Sequence, residues 1–316
     1  MLLLSDVYCK INRPVISNYS LFSVFNTFVL FFIFGPNFVI AQFGKDTLKV
    51  SAIAKVKESS IVIRWSPNNI KTWESGNNAG YIVERVTLVK DGKILKAPVK
   101  VRLTTSPLKP QPEAVFGQYY EKSKDQLLAV GAQALYGKTF EIKSKDLSLK
   151  EIADKATETE NRFGFALFSA DQSAEVAELM GLRIIDNAKV KGEKYVYKIF
   201  IPVTSAGIHM DTAYVFIESD AVIKYRAPKN YFSEFGDKIV KLSWDIKIHC
   251  NYFSSYQIER RKDGEKDWTV RNQQPFVPMS PAGVPLETAV FYDSLPDNNK
   301  IYHYRIKSKD YFGEFA

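Results

Sequence analysis

The residue types that do most protein chemistry are thinly spread in this chain. Its three histidines, His209, His249 and His303, stand far apart. His209 and Asp211 form a His-x-Asp, too short for a metal site without distant ligands. His249 adjoins Cys250 in the chain, whereas a thiolate and its base must face each other across a cleft. No serine stands in a Gly-x-Ser-x-Gly turn. Glu151, Asp154, Glu158 and Glu160 offer carboxylates, and a glycosidase needs two of them about 5 to 9.5 Å apart across a bond. In a stretch rich in Lys and Thr they read more simply as a solvated helix face. "VKDGK" (Val89 to Lys93) and "RKDGEK" (Arg261 to Lys266) carry the Asp-Gly signal of hairpin turns, not of phosphate loops. There is no P-loop, dinucleotide fingerprint or zinc helix. The sequence therefore assigns no catalytic, cofactor-binding or metal-ligating residue and no cofactor, and an enzyme is the poorer reading.

The elements around these residues are better marked. A chain of 316 residues has room for about two domains, each able to bury its own core. Its 17 Tyr and 22 Phe largely alternate with polar residues, as half-buried strands require. The net charge of +8 is spread along the length without a basic stripe, so nucleic acid is not the expected partner. Residues 1–41 have the order of parts of an export signal. Leu21 to Phe34 is an uncharged apolar run, Gly35 and Pro36 break it, and Ala41 offers a small residue before Gln42. The competing reading is a retained anchor, since the uncharged stretch runs on to Ala41, near the ~20 residues needed to span a membrane. Cleavage would remove Cys9 and leave Cys250 alone, which excludes an internal disulfide or a Cys-x-x-Cys metal site.

Three strand signatures occur twice in the same order. "IVIRW" (Ile61 to Trp65) matches "VKLSW" (Val240 to Trp244), and "YIVER" (Tyr81 to Arg85) matches "YQIER" (Tyr256 to Arg260). "YVYKI" (Tyr195 to Ile199) matches "YHYRI" (Tyr302 to Ile306). One alternating strand is a weak signal, but three repeated in order describe a duplicated all-β unit.

These residues resemble the fibronectin type III modules, especially those of bacterial exported repeat proteins. Trp65 and Trp244 match the family's second-strand tryptophan, and Tyr81 and Tyr256 its Tyr-led third strand. Leu295 with Tyr302 matches its tyrosine corner at a spacing one residue longer. The resemblance implies two immunoglobulin-like β-sandwiches in tandem, with each Trp between sheets about 10 Å apart.

Between Arg85 and Tyr195 the first copy carries about 68 residues more than the second carries between Arg260 and Tyr302. This surplus, roughly Pro112 to Leu182, reads as helix. Ser148 and Glu151 are spaced as a capping box, and Leu147 and Ile152 as a hydrophobic staple. Ile152, Ala156, Phe163 and Leu167 would form an apolar face. A shorter helix should end at Gly181, and another, from about Glu121, at Gly137. Pro107, Pro110 and Pro112 mark the entrance to the insertion.

The expected organisation is a signal peptide (1–41), a sandwich over 42–222 with a helical insertion at about 112–182, and a second sandwich over 223–316. Tyr214 opens the first copy's last strand, "YVFIES". At the matching distance after Tyr304 the numbering passes Ala316, so the second copy should lack that strand and the chain should be a fragment of a longer repeat protein. The insertion should be removable, with both flanking halves forming one core. The expected function is that of an exported, non-enzymatic scaffold or binding protein at the cell surface, meeting a protein partner of the envelope through the insertion. The alternative is a glycan-binding or glycan-accessory role through Trp73 or exposed aromatics. Phe232 and Phe235, and the aromatics of "HCNYFSSY" (His249 to Tyr256), are expected to pack between modules.

Overall fold

The computed structural model describes residues 47–138, 149–202, 209–223, 225, 229–247, 252–279 and 286–316. The proposed signal segment, His249, Cys250 and Ser148 lie outside them, as do the side chains of Glu151 and Ile152.

Two pairs of antiparallel sheets follow the three repeated signatures. In the first copy, β2 (Val50–Val56), β3 (Ile61–Pro67) and β6 (Arg183–Asp186) form a sheet in the order β2-β3-β6. It faces β4 (Ile82–Lys90), β5 (Lys93–Arg102), β7 (Lys194–Phe200) and β9 (Ala213–Glu218), ordered β5-β4-β7-β9. A short pair, β1 (Thr47–Leu48) and β8 (His209–Met210), runs parallel beside them. In the second copy, β10 (Lys229–Gly236), β11 (Ile239–Asp245) and β14 (Thr288–Ser294) are ordered β10-β11-β14. They face β12 (Phe253–Lys262), β13 (Thr269–Val270) and β15 (Tyr302–Asp310), ordered β13-β12-β15. The second copy thus repeats the two facing sheets of the first strand for strand, except that among the described residues no strand takes the place of β9. Both repeated tryptophans are fully buried, Trp65 beside Tyr81 and Trp244 beside Tyr256.

Helices fill the surplus of the first copy. α1 (Ile70–Ala79) lies between β3 and β4 and was not expected; Asn69 starts it by accepting a hydrogen bond from the Thr72 N–H at 2.8 Å. Between β5 and β6 come α2 (Glu113–Ser123), α3 (Gln126–Tyr136), α4 (Leu149–Gln172) and α5 (Ala174–Leu179). The helix expected to end at Gly137 is two helices. Lys124 is left-handed at φ 55°, and Asp125 caps α3 through the Leu127 N–H at 2.9 Å. Gly181 takes the expected left-handed conformation after α5, at φ 66°.

The expectation that the helices can be removed does not survive their packing. Phe116, Leu128, Leu167, Val176, Met180 and Leu182 belong to the same continuous buried cluster as Trp65, Tyr81, Tyr197 and Ile199. Arg64, on the face of β3 turned away from the opposing sheet, is buried by the end of α4, where its guanidinium meets Asp171 at 3.2 Å. β3 is buried along its whole length because helices cover the face that a free-standing sandwich leaves wet. Of the proposed apolar helix face, Leu167 and Phe163 point into this core, whereas Ala156 is exposed.

Candidate functional site

The repeated Tyr-x-Tyr motif builds the same polar frame twice. In the first copy Tyr197 donates its hydroxyl to Asp186 at 2.7 Å, and Arg85 reaches the same carboxylate at 2.8 Å. Arg85 also lies over the ring of Tyr195, 5.1 Å from its centre. In the second copy Tyr304 donates to Asp293 at 2.7 Å, Arg260 pairs with Asp293 at 2.7 Å, and Arg260 lies 5.1 Å over Tyr302. The first Tyr of each motif is therefore a platform for the arginine, and the second shares its carboxylate. Burial raises the pKa of the Tyr197 hydroxyl, and the bond to Asp186 raises it further. On the opposite sheet face, Glu84 bonds Lys100 and Lys198, and its counterpart Glu259 bonds Lys307 and Arg305. Burial pushes both glutamates upward, but their cationic neighbours outweigh it and hold them below the usual range. Asp186 closes β6, and Asp293 stands one residue before the end of β14. The tyrosine corner itself forms in the first copy, where the Val190 N–H donates to the Tyr195 hydroxyl at 2.9 Å. In the second, the buried Tyr302 hydroxyl has no hydrogen-bond partner, although Leu295 and Tyr302 were the expected corner.

A second polar cluster joins the two copies. Asp310, at the end of β15, accepts from Lys55 of β2 at 2.5 Å and from the Tyr225 hydroxyl at 2.7 Å. Its other oxygen accepts from the backbone N–H groups of Phe312 and Glu314. Glu314 takes Lys55 at 2.9 Å and also pairs with Lys57. Burial alone would lower the Lys55 pKa, but the two carboxylates hold it above its ordinary value. Burial and the bond to Asp310 push Tyr225 up to about 12. Nearby, Gln172 bonds Ser254 at 3.0 Å and Ser255 at 2.6 Å, and Lys309 donates to the Gln172 carbonyl at 2.7 Å. A Cβ on Gly313, at φ 79°, would stand 2.8 Å from the backbone nitrogen of Ala174.

The residues weighed for chemistry are scattered. His303 sits on the outer sheet face, its Nε2 2.9 Å from Asp263, opposite to the side of the two tyrosines as the alternation requires. Asp154 and Glu160 are solvent-exposed, while Glu158 lies near Lys155 and Arg162. Among the described residues no group of three His, Cys, Asp or Glu could hold a metal, and no helix is long and apolar enough to cross a membrane. "VKDGK" makes the expected tight hairpin, with Asp91 and Gly92 at positive φ.

The aromatics are not placed as expected. Trp73 is only 5% exposed and packs on Phe163, so it offers no face to a sugar. Phe232 and Phe235 do not pack between modules; they stand on β10, 66% and 77% exposed. From the second cluster Phe253 and Tyr252 do reach the junction, around Tyr225. Tyr214 and Phe216 form an open patch on the outer face of β9, beside Lys198 and Val196 of β7. Among the described side chains of the helices, only Tyr136 and Phe165 are large, apolar and exposed.

Two sandwiches, each with a buried second-strand Trp and a repeated third-strand and Tyr-x-Tyr frame, settle the fold. Both are fibronectin type III-like. No protein-family model and no curated protein matches the chain. Among solved structures, a two-domain fibronectin type III segment of chicken tenascin is similar at 9% identity and a TM-score of 0.21, covering 84% of this chain and 90% of that one. The chicken interferon gamma receptor alpha chain is similar at 8% identity and a TM-score of 0.23, covering 84% and 91%.

Proposed function

We propose that the chain is an exported, non-enzymatic binding or scaffold protein of the cell surface. In this reading a signal at 1–41 is followed by a sandwich over 42–222, interrupted by helices at about 112–182, and a second sandwich over 223–316. The observation that carries the binding role is the patch of Tyr214 and Phe216, each more than half exposed on a sheet face that Lys198 and Val196 extend. Exposed aromatics on a rigid strand give large contact area at low entropic cost. The bonds of Asp310 and Gln172 between the copies hold that face at a fixed angle to the second sandwich, which suits a scaffold. The helices contribute mostly polar surface, so they rank behind the sheet as the partner's contact.

Crosslinking in cell envelopes tests this with three proteins: wild type, Phe216→Glu and Phe165→Glu. A protein partner held by wild type and Phe165→Glu but lost by Phe216→Glu supports the sheet face. The reverse pattern returns the contact to the helices. Saturable binding to a purified glycan, abolished by Phe216→Glu, would replace the protein partner with a carbohydrate. Terminal sequencing of material from outside the cell should begin at Gln42; an intact residue 1 there would turn export into anchoring.

A further inference from the structure

We propose that Lys55 and Asp310 join in a side-chain amide, an internal covalent tie between the two sandwiches that forms without an enzyme. The tie lies away from the partner surface on β9, and neither reading depends on the other.

The two residues are held as reactants. Lys55 Nζ stands 2.5 Å from Asp310 Oδ2, and their side chains are 13% and 1% exposed. β2 delivers the amine and the end of β15 the carboxyl, from positions 255 residues apart. Nζ lies over the rings of Tyr225 and Phe312, 5.3 and 5.6 Å from their centres, so aromatic faces replace part of its water. At the matching place in the second copy stands Glu234, opposite Lys241 as Lys55 is opposite Val62. Unlike the frames of Asp186 and Asp293, the cluster is therefore not part of the duplicated folding core.

Both oxygens of the carboxyl have the contacts that acyl transfer needs. Oδ1 accepts from the N–H groups of Phe312 and Glu314 at 2.9 and 3.0 Å, which would hold it as an oxyanion. Oδ2, the oxygen that must leave, accepts from the Tyr225 hydroxyl at 2.7 Å. The Glu314 carboxylate stands 2.9 Å from Nζ, within reach of its proton. Burial raises the Glu314 pKa, but Lys57 and Lys55 outweigh that and keep the group ionised.

The step balances within the cluster. One ammonium proton passes along the hydrogen bond to Oδ2, leaving a neutral amine beside a carboxylic acid. Nζ attacks Cγ, and Oδ1 takes the negative charge. Glu314 removes a second proton from the nitrogen and returns it to Oδ2. The bond from Cγ to Oδ2 then breaks, and one water departs. The product is neutral, so the desolvation cost of the buried ion pair disappears with it. Holding amine and carboxyl in one site is worth an effective molarity of up to about 10⁵ to 10⁸ M. Burial lowers the Lys55 pKa, but Asp310 and Glu314 more than offset it, so neutral amine is scarce and the bond forms slowly.

The test is the intact mass of the purified full chain, followed over days at neutral pH. Wild type should become one water lighter than its own sequence, read from its actual first residue, requires. A protease digest should then yield a branched peptide joining Lys55 to Asp310. Lys55→Arg and Asp310→Ala should keep their full mass, and Glu314→Gln should lose water about a hundredfold more slowly. Glu314→Gln reacting at the wild-type rate would overturn the proton route. Wild type that keeps its full mass overturns the proposal, and slow exchange of the Phe312 and Glu314 amides would then show the pair to be ionic. A branched peptide through another lysine, or one joining two chains, overturns it as well.

Discussion

Replacing Asp186 by Ala tests whether the repeated polar frame holds the fold. The carboxylate is almost fully buried and accepts from Arg85, from the Tyr197 hydroxyl and from the Ala188 N–H. Its loss leaves a mostly buried guanidinium and a fully buried hydroxyl without their acceptor, which costs about 3 to 5 kcal/mol for a broken buried pair. The second copy is an internal control. Asp293 serves Arg260, Arg271 and the Tyr304 hydroxyl; the Arg271 side chain is 26% exposed and Tyr304 is only half-buried, so these two can turn partly to water. Asp293→Ala should therefore cost less, about 2 to 4 kcal/mol. Urea denaturation followed by tryptophan fluorescence reads both, compared by midpoint and slope. The double change Arg85→Met with Asp186→Leu should recover the part of the loss due to the stranded guanidinium, because apolar residues of similar volume need no partner, while the Tyr197 hydroxyl stays without its acceptor. A cost under 1 kcal/mol for Asp186→Ala, or a double variant no better than the single, would refute the reasoning.

The remaining expectations concern packing, pH and the junction. Trp65→Ala and Trp244→Ala should each cost ~3 to 5 kcal/mol by leaving a cavity, measured by the same denaturation; a loss below 1 kcal/mol would contradict the burial of either ring. Deleting 112–182 behind a short linker should prevent folding of the first sandwich, since Phe116, Leu167 and Leu182 leave its core with the helices; a cooperative unfolding transition in that deletion would show the core closes without them. Burial raises the Asp171 carboxyl to about 7 despite Arg64, well above its unfolded value near 4. The folded state then binds more protons between those values, so this group's contribution falls as pH rises from about 4 to about 7. Asp171→Asn should remove that part of the slope, and an unchanged stability difference across this range would sink the assignment. Gly313→Val should loosen the junction, seen as faster exchange of the Phe312 and Glu314 amides, without unfolding either sandwich.

The chain shows its strands more openly than its surfaces, and the reason is physical. Alternation with a terminal Trp marks a strand locally, so β3, β4, β7 and their counterparts were legible, and the surplus between Arg85 and Tyr195 announced the helices. α1 escaped because its cue, Asn69 capping Thr72, is a single residue in a polar stretch with little apolar periodicity. The break at Lys124 escaped because a left-handed lysine has no sequence signature, and only Asp125 as a cap hinted at it. The aromatics were misjudged for a different reason. Whether Trp73 or Phe235 meets solvent depends on which helix or strand arrives opposite, and periodicity does not encode that. Phe163 arrives over Trp73; among the described residues no strand takes up at β15 the place that β9 holds beside β7, and Phe235 stays exposed. Asp186 and Asp293 show the same limit from the polar side. Each ends an apolar run and looks like a strand boundary, yet each is the acceptor that the repeated Tyr and Arg converge upon. A duplicated motif of donors implies a duplicated acceptor.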